Sequence, residues 1–357
     1  MADRTPGLWA GPRVPRGCLR REYFRQDDGR GAALGDFGGQ TVPPRWRPGG
    51  ETFRRGGSAV NWRKLLLIGT PYLWLLAFFL VPFAIVLRLA LSDMALSIPP
   101  YTPLLDLSAG WQGIKDLVSA WDFENFQWLI DDDLYFIAYL TSLRIAAVST
   151  FITLLVAFPI AYGMARAAPE WRPALMMLVI LPFWSSFLIR VYAWIGILSN
   201  EGFLNQALLW LGVIDQPLRM LNTDFAVYVG IVYTYLPFAV LPIYATLEKL
   251  DASLLEAAED LGCSRVSAFW PVVLPLSRPG LIAAAFLVFI PVVGEFIIPS
   301  ILGGPDTLMI GRVLWDEFFS NRDWPVASAV AVVLLLLLII PIVLFQRSQQ
   351  RAQEADR

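Results

Sequence analysis

Residues 325–345 read PVASAVAVVLLLLLIIPIVLF. No residue in this run is charged, and a single serine is its only hydroxyl. A helix rises about 1.5 Å per residue, so about 20 such residues cross the roughly 30 Å hydrocarbon core of a bilayer. Five more stretches of the chain qualify: 65–87, 145–165, 173–198, 225–247 and 279–302, the last interrupted only by Glu295. Composition agrees, with 56% hydrophobic residues, 16% charged residues and a mean hydropathy of +0.55. Soluble domains run nearer about 45–50% apolar and about 25% charged. The fold class expected is therefore all-α: a polytopic membrane protein with six transmembrane helices. Pro82, Pro159, Pro182, Pro291 and Pro341 fall inside these spans and predict kinks.

Lys and Arg placement orients the spans. Arg166 and Arg172 lie between spans 2 and 3, Lys249, Arg265 and Arg278 between spans 4 and 5, and Arg347, Arg351 and Arg357 after span 6. The 1–2 connection instead holds Asp93, Asp106, Asp116, Asp122, Glu124 and Asp131 to Asp133 against Lys115 alone. Both termini are expected in the cytoplasm. Residues 1–63 are rich in Arg, Gly and Pro, without apolar periodicity, and read as a disordered basic cytoplasmic tail. It has no apolar signal-peptide core, and it could rest on anionic headgroups. Residues 347–357 read as a short cytoplasmic tail.

Several chemistries are excluded. There is no histidine, so His-based metal sites, triads and proton relays are absent. Cys18 and Cys263 form no CxxC pair and are expected as separate thiols, which removes zinc and thioredoxin-type chemistry. The three lysines, Lys64, Lys115 and Lys249, each lack the preceding glycine of a P-loop. No cofactor, metal or nucleic acid is expected.

The connection between spans 4 and 5, residues 251–278, has its own structure. Ser253 with Glu256 reads as a capping box that starts a short helix. Gly262 can take the left-handed conformation that ends it. Ser264 can cap a second short helix, which Pro271 and Pro275 should stop. The outcome is a rigid helix–turn–helix whose exposed apolar residues suit a groove on a partner.

Glu256, Ala257, Ala258, Gly262, Leu274 and Pro275 match the spacing Glu-Ala-Ala, three residues, Gly, nine residues, Ile-x-Leu-Pro, with Val272 in place of Ile. This stretch resembles the EAA loop of permease subunits of bacterial ABC importers. Three residues would be weak, but the full spacing before the next-to-last span is specific. The run from Leu181 to Trp194, LPFWSSFLIRVYAW, is similar to the third-span signature of spermidine/putrescine permeases. So are Asn200-Glu201-Gly202, Leu302 to Pro305, Thr307 to Gly311, Asp316 to Phe319 and Asn321 to Pro325. The resemblance covers about residues 65–345. It implies a type I ABC-importer permease fold in the bacterial inner membrane. It also implies an ATPase-coupling role for the loop. The implied partners are a second permease subunit, a dimer of ATP-binding subunits and a periplasmic substrate-binding protein. ATP hydrolysis would belong to the partner.

Candidate pathway residues follow. Glu295 lies about 24 Å into span 5, counted from Pro279. A charge there needs a wet cavity, a cationic substrate or a partner arginine. Phe183, Phe187, Arg190 and Trp194, spaced four, three and four apart, share a helical face. Trp184 and Tyr192 lie off it. Aromatic faces attract ammonium groups, but the same stripe also fits helix packing or an interfacial belt. Arg190 would repel a polyamine, and pairing with a carboxylate or headgroup suits it better. The expected function is translocation of a polyamine delivered by a binding protein. The alternatives are a related ABC permease for another small solute, or a secondary transporter.

Overall fold

The computed structural model describes residues 62–104, 110–251 and 253–355, which are helical nearly throughout. The expected tail lies outside the described residues except for Trp62 and Arg63, which already belong to the first helix. In chain order the helices are α1 (Trp62–Ala90), α2 (Gly110–Ser119), α3 (Glu124–Asp131), α4 (Asp133–Arg166), α5 (Arg172–Ile180), α6 (Phe187–Leu198) and α7 (Phe203–Trp210). There follow α8 (Asp224–Leu247), α9 (Ser253–Asp260), α10 (Arg265–Ala268), α11 (Leu274–Val293), α12 (Ile297–Leu302), α13 (Ile310–Trp315) and α14 (Trp324–Ala355). A two-residue pairing of Asp93–Met94 with Tyr101–Thr102 is the only sheet among the described residues.

Five helical stretches are long and apolar enough to cross a membrane: Leu66–Ala90, Asp133–Arg166, Asp224–Leu247, Val266–Val293 and Trp324–Arg347. A sixth exists only if Arg172–Trp184 and Phe187–Trp210 are taken together, and these two are bent by 89°. The third span, expected to kink at Pro182, is broken outright. Pro182 cannot donate a backbone hydrogen bond, and a Ser-Ser pair follows it. Residues 181–184 tighten into a 3₁₀ turn, and Ser185 Oγ donates back to the Pro182 carbonyl at 2.8 Å.

The chain separates into two units, Met1–Val81 and Pro82–Arg357. In the first, Leu66 to Val81 of α1 presents apolar side chains that are almost all exposed. In the second, α4, α8 and α11 form the centre. Ala157, Ala161, Ile231, Val240, Ile243, Ala284, Val288 and Val292 are buried in one cluster. Small residues let the backbones come close, which drives helix association where the solvent is itself apolar. Gly280 of α11 is the tightest case in this contact. A Cβ there would meet Thr246 Oγ1 at 2.5 Å and the Pro242 carbonyl at 2.7 Å.

Polar side chains tie the outlying elements to this centre. Ser142 Oγ accepts from the Ile310 amide at 2.7 Å, and Tyr139 donates to the Val330 carbonyl at 2.8 Å. Arg144 pairs with Asp224 at 2.8 Å, and Thr307 donates to the other Asp224 oxygen at 2.6 Å. The fully buried Asn205 donates to the carbonyls of Ser199 and Leu218 and accepts from the Leu218 amide, which closes the 199–218 connection. A buried amide is tolerated only when satisfied in this way.

Candidate functional site

The 251–278 connection begins with a cap that differs from expectation. Asp251, not Ser253, caps α9: its Oδ1 accepts from the Ser253 amide at 3.0 Å. Gly262 has φ +87°, and the Cys263 amide donates to the Ala258 carbonyl at 2.9 Å while the Gly262 amide donates to Glu259 at 2.8 Å. These bonds satisfy the last carbonyls of the helix in a left-handed C-terminal turn. A Cβ at Gly262 would meet nothing within 4 Å, so the constraint is the backbone angle alone. Ser264 caps α10 by accepting from the Ser267 amide at 3.2 Å. The expectation of two separate thiols involves Cys18, which lies outside the described residues.

Pro271 and Pro275 do not stop the second helix. A π turn over Phe269–Val273 carries it directly into α11, and the Leu274 amide donates to the Phe269 carbonyl. The wider turn absorbs donors that the prolines lack. The tip is apolar and exposed, with Leu254, Leu261, Val266 and Trp270 facing out, while Ala258 is buried beneath it. Glu256 and Ala257 are exposed, and Leu274 and Pro275 are half-buried. Two hollows flank the tip. One, about 790 Å³, is walled by Arg166, Leu255, Glu256, Glu259 and Val266. The other, about 600 Å³, is apolar and includes Phe158, Trp270 and Leu274, and Tyr162 and Phe269 border both. Arg166 lies over the Tyr162 ring at 5.5 Å.

A third cavity, about 660 Å³, opens beside the break in span 3. Phe183 and Phe187 stand on opposite sides of that break, and Arg190 lies over both rings at 5.4 and 5.9 Å. Opposite them are Tyr235 and Phe238 of α8 and Phe286 of α11. Phe183 meets Phe238 edge-on at 5.1 Å. Trp194 is turned away onto Tyr233, with ring centroids 5.4 Å apart, and Trp184 and Tyr192 are exposed outside the cavity. Four of the six sequence-nominated aromatic and acidic residues therefore do not line it: Trp194, Trp184, Tyr192 and Glu295. Tyr235, Phe238 and Phe286 do line it. Their only sequence signal was an aromatic pair flanking Pro237 in an apolar span, a pattern that packing also produces.

Glu295 is not inside a helix. α11 ends at Val293, and Glu295 stands in the break before α12. Pro299 explains this, because in a continuous helix its ring would strike the carbonyl of Glu295, four residues earlier. The Glu295 carboxylate is buried and accepts from the amides of Ile297 at 3.0 Å and Ile298 at 3.4 Å, and from the Tyr235 hydroxyl at 2.8 Å. An acid at a helix N-terminus caps orphan amides and complements the dipole. Among the described residues it is thus held by amides and a phenol, with no arginine beside it.

In the 1–2 connection, Asp93 sits against Asp122 and Glu124, with carboxylate oxygens within 4.8 Å of one another. Partial burial first, then the two neighbouring charges, push the Asp93 carboxyl above its ordinary value.

Residues 64–353 match the family described as the binding-protein-dependent transport system inner membrane component. The chain belongs to this family. It is a multi-pass component of the inner membrane, and the apolar helices above are its transmembrane part. Among curated relatives, the spermidine/putrescine transport system permease protein PotB of Escherichia coli strain K12 is 41% identical over 227 residues, which cover 64% of this chain and 82% of that one. The same-named protein of Haemophilus influenzae is 41% identical over 227 residues, covering 64% and 79%. A sulfoquinovosyl glycerol transport system permease protein of Agrobacterium fabrum is 28% identical over 225 residues, covering 62% and 73%. A crystallised bacterial alginate ABC transporter, in complex with an alginate pentasaccharide-bound periplasmic protein, matches with a TM-score of 0.59 at 16% identity, covering 82% of this chain and 95% of that one. At that identity the likeness shows the fold alone. This inner-membrane component therefore has the architecture of an ABC-transporter permease.

Proposed function

We propose that this chain is the translocating subunit of an ATP-driven importer for polyamines of the spermidine and putrescine type. The observation that carries the reading is the 41% identity to the Escherichia coli spermidine/putrescine permease protein across 82% of that protein. In this reading both termini are cytoplasmic and a periplasmic binding protein delivers the solute. A second permease chain completes the pathway, and a pair of ATP-binding subunits hydrolyses ATP below. The 253–275 turn docks on one of those subunits. Its exposed Leu254, Leu261, Val266 and Trp270 supply the apolar contact, and the left-handed turn at Gly262 holds them in one rigid unit. The chain itself makes and breaks no bonds; it rocks between inward- and outward-open forms as the nucleotide-binding pair closes and opens.

The aromatic cavity suits such a solute. Phe183, Phe187, Tyr235, Phe238 and Phe286 give it cation-attracting faces; among the described residues Arg190 is the one charged residue on its wall, and no carboxylate lines it. Weak, multiple contacts let a cation enter and leave. The test is uptake of radiolabelled spermidine and putrescine into vesicles holding the assembled complex. Saturable uptake that requires both ATP and the binding protein is expected. An assembled complex whose ATPase responds to another solute and which takes up neither polyamine would overturn the reading.

A further inference from the structure

The Arg190 guanidinium stands where a substrate cation would sit. It lies over Phe183 and Phe187, at the wall of the 660 Å³ cavity. Its Nε is buried without a hydrogen-bond partner, and among the described residues no carboxylate pairs with its guanidinium. An arginine held by rings alone is unusual, because a partly buried cation ordinarily takes a charged partner. The two phenylalanine faces supply the stabilisation instead. They come from either side of the 89° break, so any change in that bend changes the seat.

We infer that Arg190 is a tethered stand-in for the substrate: its guanidinium occupies the aromatic seat in the resting transporter and an ammonium group of the solute displaces it. The identity of the displacing cation rests on the polyamine reading above. An unpaired guanidinium on a cavity wall could instead recruit an anion, but here it lies over two ring faces whose negative quadrupole repels negative charge. Exchange of one cation for another over the same rings is close to balanced in energy. The seat therefore stays filled without the solute and does not trap it when it passes. The rest of the wall favours the same exchange, since Tyr235 turns its hydroxyl to Glu295 and leaves its ring toward the cavity.

The test uses the assembled transporter, purified without binding protein or nucleotide, as wild type and as Arg190→Gln. Equilibrium retention of radiolabelled spermidine should rise about tenfold, the equivalent of one cation–aromatic contact freed from competition. Adding Phe187→Leu should cancel the rise. Arg190→Met should act as Arg190→Gln does. Unchanged or weaker retention by an assembled variant overturns the inference, as does a rise that survives Phe187→Leu. Failure of both single variants to assemble also overturns it, because the guanidinium would then be a structural contact. Wild-type uptake with the binding protein is scored separately, and its absence fails the polyamine reading alone. Tetramethylammonium, followed by saturation-transfer NMR, then replaces spermidine, and the same rise or its absence decides the seat.

Discussion

The 253–275 turn and the cavity around Arg190 both interrupt a helical run, and they are closed by different means. In the turn, every bond that sets the chain direction is local: Asp251 to Ser253, Ala258 to Cys263, Ser264 to Ser267. Around the cavity, local bonds such as Ser185 to Pro182 and Ile297 to Glu295 are joined by contacts from far along the chain. Tyr235 reaches Glu295 across 60 residues, and Phe238 packs on Phe183. A locally closed turn keeps its shape when its surroundings move, which suits an element that transmits force to a partner. A break closed by other helices changes when those helices shift, which suits an element that must open and close.

The sharpest way to break this contrast is to separate α8 from α11. Gly280→Val places a branched side chain against Thr246 and the Pro242 carbonyl. Overpacking of this kind costs up to about 3 kcal/mol. Yield and thermal stability of the detergent-purified complex should fall strongly, and normal values would show that the helix contact is softer than its spacing implies.

Glu295→Ala is expected next in size. It leaves the Ile297 and Ile298 amides and the Tyr235 hydroxyl without their acceptor, at about 1–3 kcal/mol for a buried unsatisfied group. Stability should fall. Glu295→Gln keeps an acceptor, so it should assemble normally. A loss of uptake by Glu295→Gln with normal yield would show that the charge, beyond the cap, serves transport.

At the turn, Gly262→Val should cost about 1–2 kcal/mol, because a β-branched residue is forced into the left-handed region. The cavity should be untouched, so spermidine retention by the purified complex stays at the wild-type level while transport per ATP hydrolysed falls. Gly262→Asn should restore most of the coupling, since Asn tolerates that conformation. Equal impairment by Val and Asn would mean that bulk at the partner surface, and not backbone angle, is the constraint.

The smallest effect is expected at Asp93. Its carboxyl titrates above the ordinary value in the folded chain, so the folded state holds its proton more tightly than the unfolded one. Stability from this group is therefore greatest at low pH and declines as pH rises through the raised value. Asp93→Asn should raise the melting temperature slightly at neutral pH, by less than about 1 kcal/mol for so exposed a group, and flatten its pH dependence. A lower melting temperature would mean that the three carboxylates are held together by something other than their shared loop.

How far each region could be read in advance follows from the range of its contacts. Gly262, Ser264 and the Glu256-Ala257-Ala258 spacing lie within one short stretch, so turn chemistry was visible residue by residue. Two local details were misread for local reasons: Asp251 outcompetes Ser253 as the cap, and a π turn absorbs Pro271 and Pro275. The break at Glu295 was also legible, because Pro299 forbids a helix through its carbonyl, but hydropathy alone ran across it. Trp194 shared the helical face of Phe183 by spacing, yet beyond the bend it packs on Tyr233, while Trp184 and Tyr192, already off that face, are exposed.

The amino-acid sequence by itself determined the solvent of this protein, the number of apolar stretches, and the chemistry of its 253–275 turn. Apolar length, charge placement and turn residues act within a few residues of each other, where the chain has few alternatives. Only the tertiary structure decided that Tyr235 reaches Glu295 across 60 residues and that Phe238 of α8 packs on Phe183 beside the bend. Each of these depends on which groups reach the same point in space from segments far apart in the chain, and hydrophobic periodicity holds no information about that.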